Sequence, residues 1–232
     1  MIAQAPFSRL LISHLLWPLL AFILLAGFMQ LSTVDLMLAD KIYQLSGNTW
    51  SLREHWITAG LIHNQGRNLV AIMIVVMLML LASSFFSQAL AQYKKGLFYL
   101  LVSTLTAGLT LNILKEITHV DCPWDLIRYG GNFEYAKIFA ANTDSTHLGA
   151  CFPSGHASGA YAWFGLVYVA REYRPQWQKP AFLAVLLLGL VFGLGQQLRG
   201  AHFLSHDLWS LSLCWFITTG FYFWFYPSAI RS

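Results

Sequence analysis

Charge is what this sequence has least of: only 10% of its 232 residues are Asp, Glu, Lys or Arg, while 57% are hydrophobic. Soluble domains carry about 25% charged residues, so the deficit excludes an ordinary soluble protein. Basic clustering is missing as well. The 14 Lys and Arg residues, for a net charge of +4, lie scattered between apolar runs, which excludes a nucleic-acid binder with a basic polar face. The three cysteines form no Cys-x2-Cys pair, the spacing usual for structural zinc. No low-complexity tract and no short repeat interrupts the chain.

Long apolar stretches are what the chain has in abundance, and its mean hydropathy is +0.55. A membrane span needs about 20 mainly apolar residues. Leu10 to Leu31, Leu69 to Ser87, Leu97 to Leu114, Ala181 to Leu198 and Leu208 to Tyr226 qualify. A sixth, His156 to Ala170, is shorter, and Gly155, Ala157, Gly159 and Ala160 suit close packing against neighbouring helices. The first stretch reads as a span rather than a signal peptide, since no small-x-small cleavage site follows Gly27. The expectation is an all-α polytopic membrane bundle of about six transmembrane helices, forming one integral membrane domain with a catalytic core over 97–226.

Orientation follows from the loops. With Arg9 in the cytoplasm, the short connections holding Lys94 and Lys95, then Arg171, Arg174 and Lys179, and the tail with Arg231, are cytoplasmic. The opposite loops are longer and acidic, with Asp35, Asp40 and Glu54 in one and Glu116, Asp121, Asp125, Glu134 and Asp144 in the next. Both termini are then cytoplasmic. Met37 to His63, with Lys41, Arg53, Glu54 and His55 among apolar residues, reads as an external loop with some interfacial helix.

This topology collects Lys115, Arg128, Ser154, His156, Arg199, His202, His206 and Asp207 at one set of helix ends. Ionisable residues at membrane depth are costly and are functional candidates. Any single cation among them snorkels readily; four clusters on one side of the bilayer require another reason. The sharpest element is Pro153-Ser154-Gly155-His156 at a helix start. Ser154 is a good N-cap, Gly155 lets a ligand approach the backbone, and free N–H groups with the helix dipole favour an anion.

In these residues the chain resembles the type 2 phosphatidic acid phosphatase superfamily, which includes glucose-6-phosphatase and vanadium haloperoxidases. Three motifs mark that family: Lys, six residues, Arg-Pro; then Pro-Ser-Gly-His; then Arg, five residues, His, three residues, Asp. Here the first is Lys115 followed by Cys122-Pro123, the second is intact, and the third is Arg-Gly-Ala-His-Phe-Leu-Ser-His-Asp from Arg199 to Asp207. The likeness covers about residues 97–226.

The resemblance implies a phosphatase without cofactor or metal. His202 corresponds to the nucleophile that forms a phosphohistidine. His156 corresponds to the general acid that protonates the leaving oxygen and later activates water. Lys115, Ser154 and Gly155 correspond to the groups that bind the phosphoryl oxygens. Three positions depart from the pattern. Cys122 stands where the first-motif Arg belongs, and Arg128 is the expected substitute. Gln196 lies six before His202, and Arg199, three before, is the expected phosphate-binding arginine because its fork reaches two oxygens. His206 stands four after His202, with Asp207 next. A carboxylate is the better partner for an imidazole, so Asp207 is the expected orienting residue, reached through a non-helical turn at Phe203 to Ser205.

Cys122 and Cys151 each flank a motif in one external loop, where a disulfide is chemically reasonable in an oxidising compartment; Cys214 is a buried small hydrophobe. His119, His147, His202, His206, Cys122 and Cys151 raise a zinc alternative, supported by the His-x3-His spacing of His202 and His206. Implied partners are the bilayer and a phospholipid or polyprenyl phosphate: polyprenyl pyrophosphate, phosphatidic acid, phosphatidylglycerophosphate or the phosphate of lipid A. The expected location is a bacterial plasma membrane, with the site facing periplasm or exterior. A lipid-to-lipid phosphotransferase uses the same residues. A transporter or non-catalytic scaffold is the alternative of another class, disfavoured because transport sites tend to lie near the midplane. Trp124, Phe133, Tyr135 and Phe139 are expected to anchor their loop in headgroups.

Overall fold

A helix that crosses a bilayer satisfies its own backbone, so an apolar chain of this kind has few other options. The computed structural model describes residues 7–138 and 149–227; Phe139, Asp144, His147 and Arg231 lie outside the described residues. Among the described residues the only β pairing is an isolated bridge between Leu126 and Phe133. Among the described residues the main helices are α1 (Arg9–Leu31), α2 (Val34–Leu45), α3 (Trp56–Ser83), α4 (Lys94–Thr118), α5 (Gly155–Tyr161), α6 (Gly165–Tyr173), α7 (Gln178–Leu198) and α8 (Leu204–Phe225). Five are long and apolar enough to cross a membrane: α1, α3, α4, α7 and α8. The protein is an integral membrane helix bundle.

The sixth expected span is the run α5–α6, joined by a 3-10 turn at Ala162–Phe164. It is the interior element, with Ala157, Ala160, Tyr161, Phe164 and Tyr168 buried against α4, α7 and α8. Small residues at 157 and 160 permit that close approach. α1 and α3 instead leave most of their apolar side chains on the outer surface, among them Leu24, Phe28, Ile72 and Met79. Such residues suit lipid.

Two sequence-based boundaries move. The second span starts at Trp56, well before Leu69, because His63, Asn64 and Gln65 do not break the helix; Trp56–Gln65 is wound as a π-helix, a form frequent at functional sites. The expected loop from Met37 to His63 is therefore α2, a short turn and the first part of α3. α2 packs Leu36, Ala39 and Tyr43 onto Leu126, Tyr129 and Phe203, covering the loop after α7.

One end of the bundle collects Lys94, Lys95, Arg171 and Arg174 among aromatic rings. Arg174 Nη2 donates to the Tyr93 hydroxyl at 3.1 Å, and the Lys95 ammonium lies 4.3 Å from the Tyr226 ring centre. Buried tyrosines nearby find partners, as an apolar interior demands. Tyr99 donates to Thr218 O at 2.9 Å, and Tyr222 to Glu172 at 2.7 Å. His156, His202 and His206 lie at the other end.

Candidate active site

The turn between α7 and α8 sets the geometry. Arg199 is the C-cap of α7, and Gly200 follows with φ +75, a left-handed conformation that glycine adopts at no steric cost. Gly200 N–H bonds Gln197 O and Ala201 N–H bonds Gln196 O, each at 2.9 Å, the paired closure that ends a helix sharply. The chain then restarts as α8, whose N-cap Phe203 has no polar side chain. A residue distant in sequence fills that role: Asp35 of α2 accepts the Ser205 N–H at 3.0 Å. His202 is thus held on a short turn fixed on both sides.

His202 is 7% exposed, and its Nδ1 lies 2.6 Å from Cys151 O. A carbonyl only accepts, so Nδ1 carries the proton and Nε2 keeps its lone pair. Burial first, then the neighbouring His206 and Lys115, hold this ring well below its ordinary value, so it stays neutral into mild acid. Residue 151 is itself pinned. Its N–H donates to Val120 O at 2.9 Å, and its sulfur is bonded to Cys122, with Cα atoms 5.2 Å apart. Trp124 N–H donates to Gly200 O at 3.0 Å, tying the same loop to the His202 turn.

Ser154 stands at the N-cap position of α5 without a side-chain cap bond, anchored by its N–H to His206 O at 3.3 Å and by Ser210 Oγ donating to its carbonyl at 2.9 Å. Its own hydroxyl is buried without a hydrogen-bond partner. Lys115 Nζ lies 3.7 Å from where a Cβ on Gly155 would stand, so the ammonium and the start of α5 face one space. Arg199 is 8% exposed; Nε donates to Arg53 O at 2.7 Å and Nη1 to Gln196 Oε1 at 3.1 Å. Burial lowers its affinity for its proton, partly opposed by Glu54, 3.9 Å away. Three of its five N–H donors remain for another acceptor. His156 Nε2 lies 3.0 Å from Ile62 O. By the same logic Nε2 carries a proton, and Nδ1 is free to exchange one.

Lys115 faces the start of α5, Lys115 and His156 act electrostatically on His202, and Arg199 reaches His156 through Gln196 and His63, so these residues lie together with Ser154 and Gly155; two expected residues do not join them. Arg128 lies outside this space, on the 3-10 turn Ile127–Tyr129. There it clasps Asp40 with two hydrogen bonds of 2.7 and 2.6 Å, and Tyr129 adds a third to Asp40 at 2.9 Å. Its guanidinium is spent on α2 rather than replacing the first-motif arginine. Asp207 does not meet His202. Because α8 is already wound from Leu204, residue 207 turns toward α7 and its Oδ2 accepts from Gln197 Nε2 at 2.5 Å. The ring beside His202 is His206, with Nδ1 atoms 3.5 Å apart.

The Cys122–Cys151 bond takes both sulfurs out of the thiolate set that the zinc alternative needs. Trp124 and Tyr135 pack on protein: Arg53 sits 4.0 Å over the Trp124 ring, and Tyr135 meets Phe203 edge-on at 5.5 Å. Sequence reasoning missed Asp35, Ile62 and His63. They lie in segments that resemble ordinary loop and interfacial helix, and no motif marks them. An apolar cavity of about 360 Å³ between α1, α7 and α8, lined by His14, Phe22, Phe182 and Trp215, lies apart from His156, His202 and His206.

The family model described as PAP2 superfamily matches residues 96–229. No curated protein matches the chain by sequence. The fold is similar to the crystal structure of a transmembrane PAP2 type phosphatidylglycerolphosphate phosphatase from Bacillus subtilis, with a TM-score of 0.55 and 19% identity over 89% of this chain and 94% of that one.

Proposed function

The chain belongs to the PAP2 superfamily, and from that premise we propose that it removes phosphate from a lipid phosphate or pyrophosphate through a phosphohistidine on His202. One observation carries this reading. The Cys151 carbonyl fixes the Nδ1–H tautomer of a buried, neutral His202, which leaves Nε2 as an available nucleophile beside Lys115 and the Ser154 turn.

In the first step the Nε2 lone pair attacks phosphorus, the P–O bond to the lipid breaks, and His156 gives its proton to the departing oxygen. In the second, His156 takes a proton from water, the oxygen attacks phosphorus, and the P–N bond breaks to release inorganic phosphate. Lys115, the uncommitted N–H groups of Arg199, the Ser154 hydroxyl and the first N–H groups of α5 stabilise the phosphoryl oxygens, usually the largest single contribution. Asp207 is held by Gln197 on the α7 side rather than serving His202. No step requires a metal or cofactor.

The site is read as extracytoplasmic, with both termini cytoplasmic. The gathering of Lys94, Lys95, Arg171 and Arg174 at the far end supports this, because basic residues concentrate on the cytoplasmic side. The disulfide at the site end fits an oxidising compartment.

The test is phosphate release in detergent with EDTA present. The panel is phosphatidylglycerophosphate, phosphatidic acid, a polyprenyl pyrophosphate and a lipid A phosphate. Release from at least one by the wild type, lost in His202→Ala and His156→Ala, is the expected result. No release from any, or release unaffected by His202→Ala, overturns the reading; loss on adding EDTA points to the zinc alternative.

A further inference from the structure

The turn that delivers His156 comes from the matched part of the chain, but much of what holds the ring does not. Its Nε2–H is taken by Ile62 O on α3 at 3.0 Å. One face meets the Phe192 ring at 4.5 Å, and His63 lies 4.8 Å away, centroid to centroid. Gly66, one helical turn beyond Ile62, makes room: a Cβ there would stand 2.8 Å from Phe192 and 3.1 Å from His156 Nε2. Three residues of one α3 face therefore shape the space around the proton-handling ring.

His63 is itself oriented by a chain of hydrogen bonds with a forced direction. Arg199 has only donors, so its Nη1 at 3.1 Å turns the Gln196 carbonyl oxygen toward itself. The Gln196 amide nitrogen then faces His63 Nδ1 at 3.0 Å. An amide nitrogen only donates, so Nδ1 accepts and the neutral His63 ring carries its proton on Nε2. Arg199, a cation assigned to the phosphate, is thereby linked through Gln196 to the ring that backs His156. His63 is half-buried within a helix long and apolar enough to cross a membrane, where a polar residue is costly.

We infer that His63 is a positioning residue for the proton donor His156, held by the Arg199–Gln196–His63 chain so that His156 Nδ1 meets the departing oxygen. This rests on the reading of His156 as general acid. The proton itself moves only between His156 and the substrate or water; His63 fixes the ring.

A general acid matters most when the leaving oxygen is strongly basic, so a matched pair of substrates separates positioning from general damage. The probes are decyl phosphate, whose alkoxide needs a proton to leave, and a decyl-substituted 4-nitrophenyl phosphate, whose phenolate does not. In His63→Ala and Gln196→Leu, the single-turnover rate of decanol release from decyl phosphate is expected to fall about tenfold or more, while phenol release from the aryl ester loses less than about threefold. KM stays within about twofold for both. His63→Asn, which keeps an acceptor near the Nδ1 position for Gln196, is expected to recover part of the alkyl-ester rate. Thermal melting in detergent accompanies each variant, and Gln196→Leu carries the test if His63→Ala does not fold. Equal losses on the two esters, or no loss in any variant, overturn the inference alone, provided the wild type is active and His202→Ala is not. A wild type inactive on both esters overturns the inference together with the underlying reading.

Discussion

The part of the chain before α4 and the part from α4 onward meet at one site but supply different things. From α4 onward come the groups assigned to the chemistry: Lys115, Ser154, His156, Arg199 and His202. The earlier part supplies their supports. Asp35 caps α8, Arg53 O holds Arg199, and Ile62 O with His63 holds His156. The family match begins at residue 96, so the motifs describe the reacting side chains and leave out half of the scaffold that aims them. A backbone carbonyl in place of a carboxylate, at Cys151 and Ile62, costs no buried charge, an advantage in a membrane interior.

Several outcomes sharpen or break this division. The largest effects belong on the α4-onward side. His156→Ala is expected to lose about 10²–10⁴ in kcat for lipid phosphate, the range of a general acid–base group, and His202→Ala to lose more, measured as phosphate release. If a support residue such as Asp35 proved as costly as His156, the division would fail.

Next comes the disulfide, which ties the first-motif loop to the Cys151 carbonyl. Reducing it with dithiothreitol frees residue 151, and kcat is expected to fall about tenfold or more with KM little changed, because a small misplacement of a reacting group is expensive. Full activity with both thiols alkylated would show that Val120 alone holds the carbonyl.

Asp35→Ala removes a cap from α8 and is expected to cost about 0.5–2 kcal/mol of stability, read by denaturation in detergent, with a loss of turnover of only a few-fold. An unchanged midpoint would count against the cap.

The smallest effect is at Arg128. Its clasp of Asp40 lies on the outer surface, with Arg128 52% and Asp40 25% exposed, so Arg128→Ala is expected to change turnover by less than about twofold and stability by no more than about 1 kcal/mol. The Arg128 hydrogen bond holds the Asp40 carboxyl below its ordinary value. A depressed carboxyl contributes stability above the unfolded value of about 3.9 and loses it as pH falls through the folded one. The difference between Arg128→Ala and wild type should therefore stay constant from pH 5 to 8 and shrink only in stronger acid. A large catalytic loss would instead return Arg128 to the phosphate site.

Much of this was legible in the sequence for physical reasons. Apolar runs near membrane length give helices whatever their neighbours. The Pro153–His156 turn and His202 were likewise visible, because ionisable residues are rare in such a chain. The partner of His202 was not legible. Asp207 is the better acceptor in isolation, but α8 starts at Leu204 and carries it to the α7 side, and a backbone carbonyl leaves no trace in residue type. Arg128 failed for a related reason: its partner Asp40 sits on α2, a contact between segments distant in the chain. His63 was hidden in a stretch whose mixed polarity reads as interfacial.

The most direct measurement is to find where the phosphate goes. Protein incubated with labelled lipid phosphate, quenched in alkali to preserve phosphoimidazole and mapped by mass spectrometry, should carry phosphate on His202, and none in His202→Ala. His156→Ala should retain the adduct longest with an aryl ester, whose departure needs no acid. Label on another residue, or undiminished turnover in His202→Ala, would contradict the account.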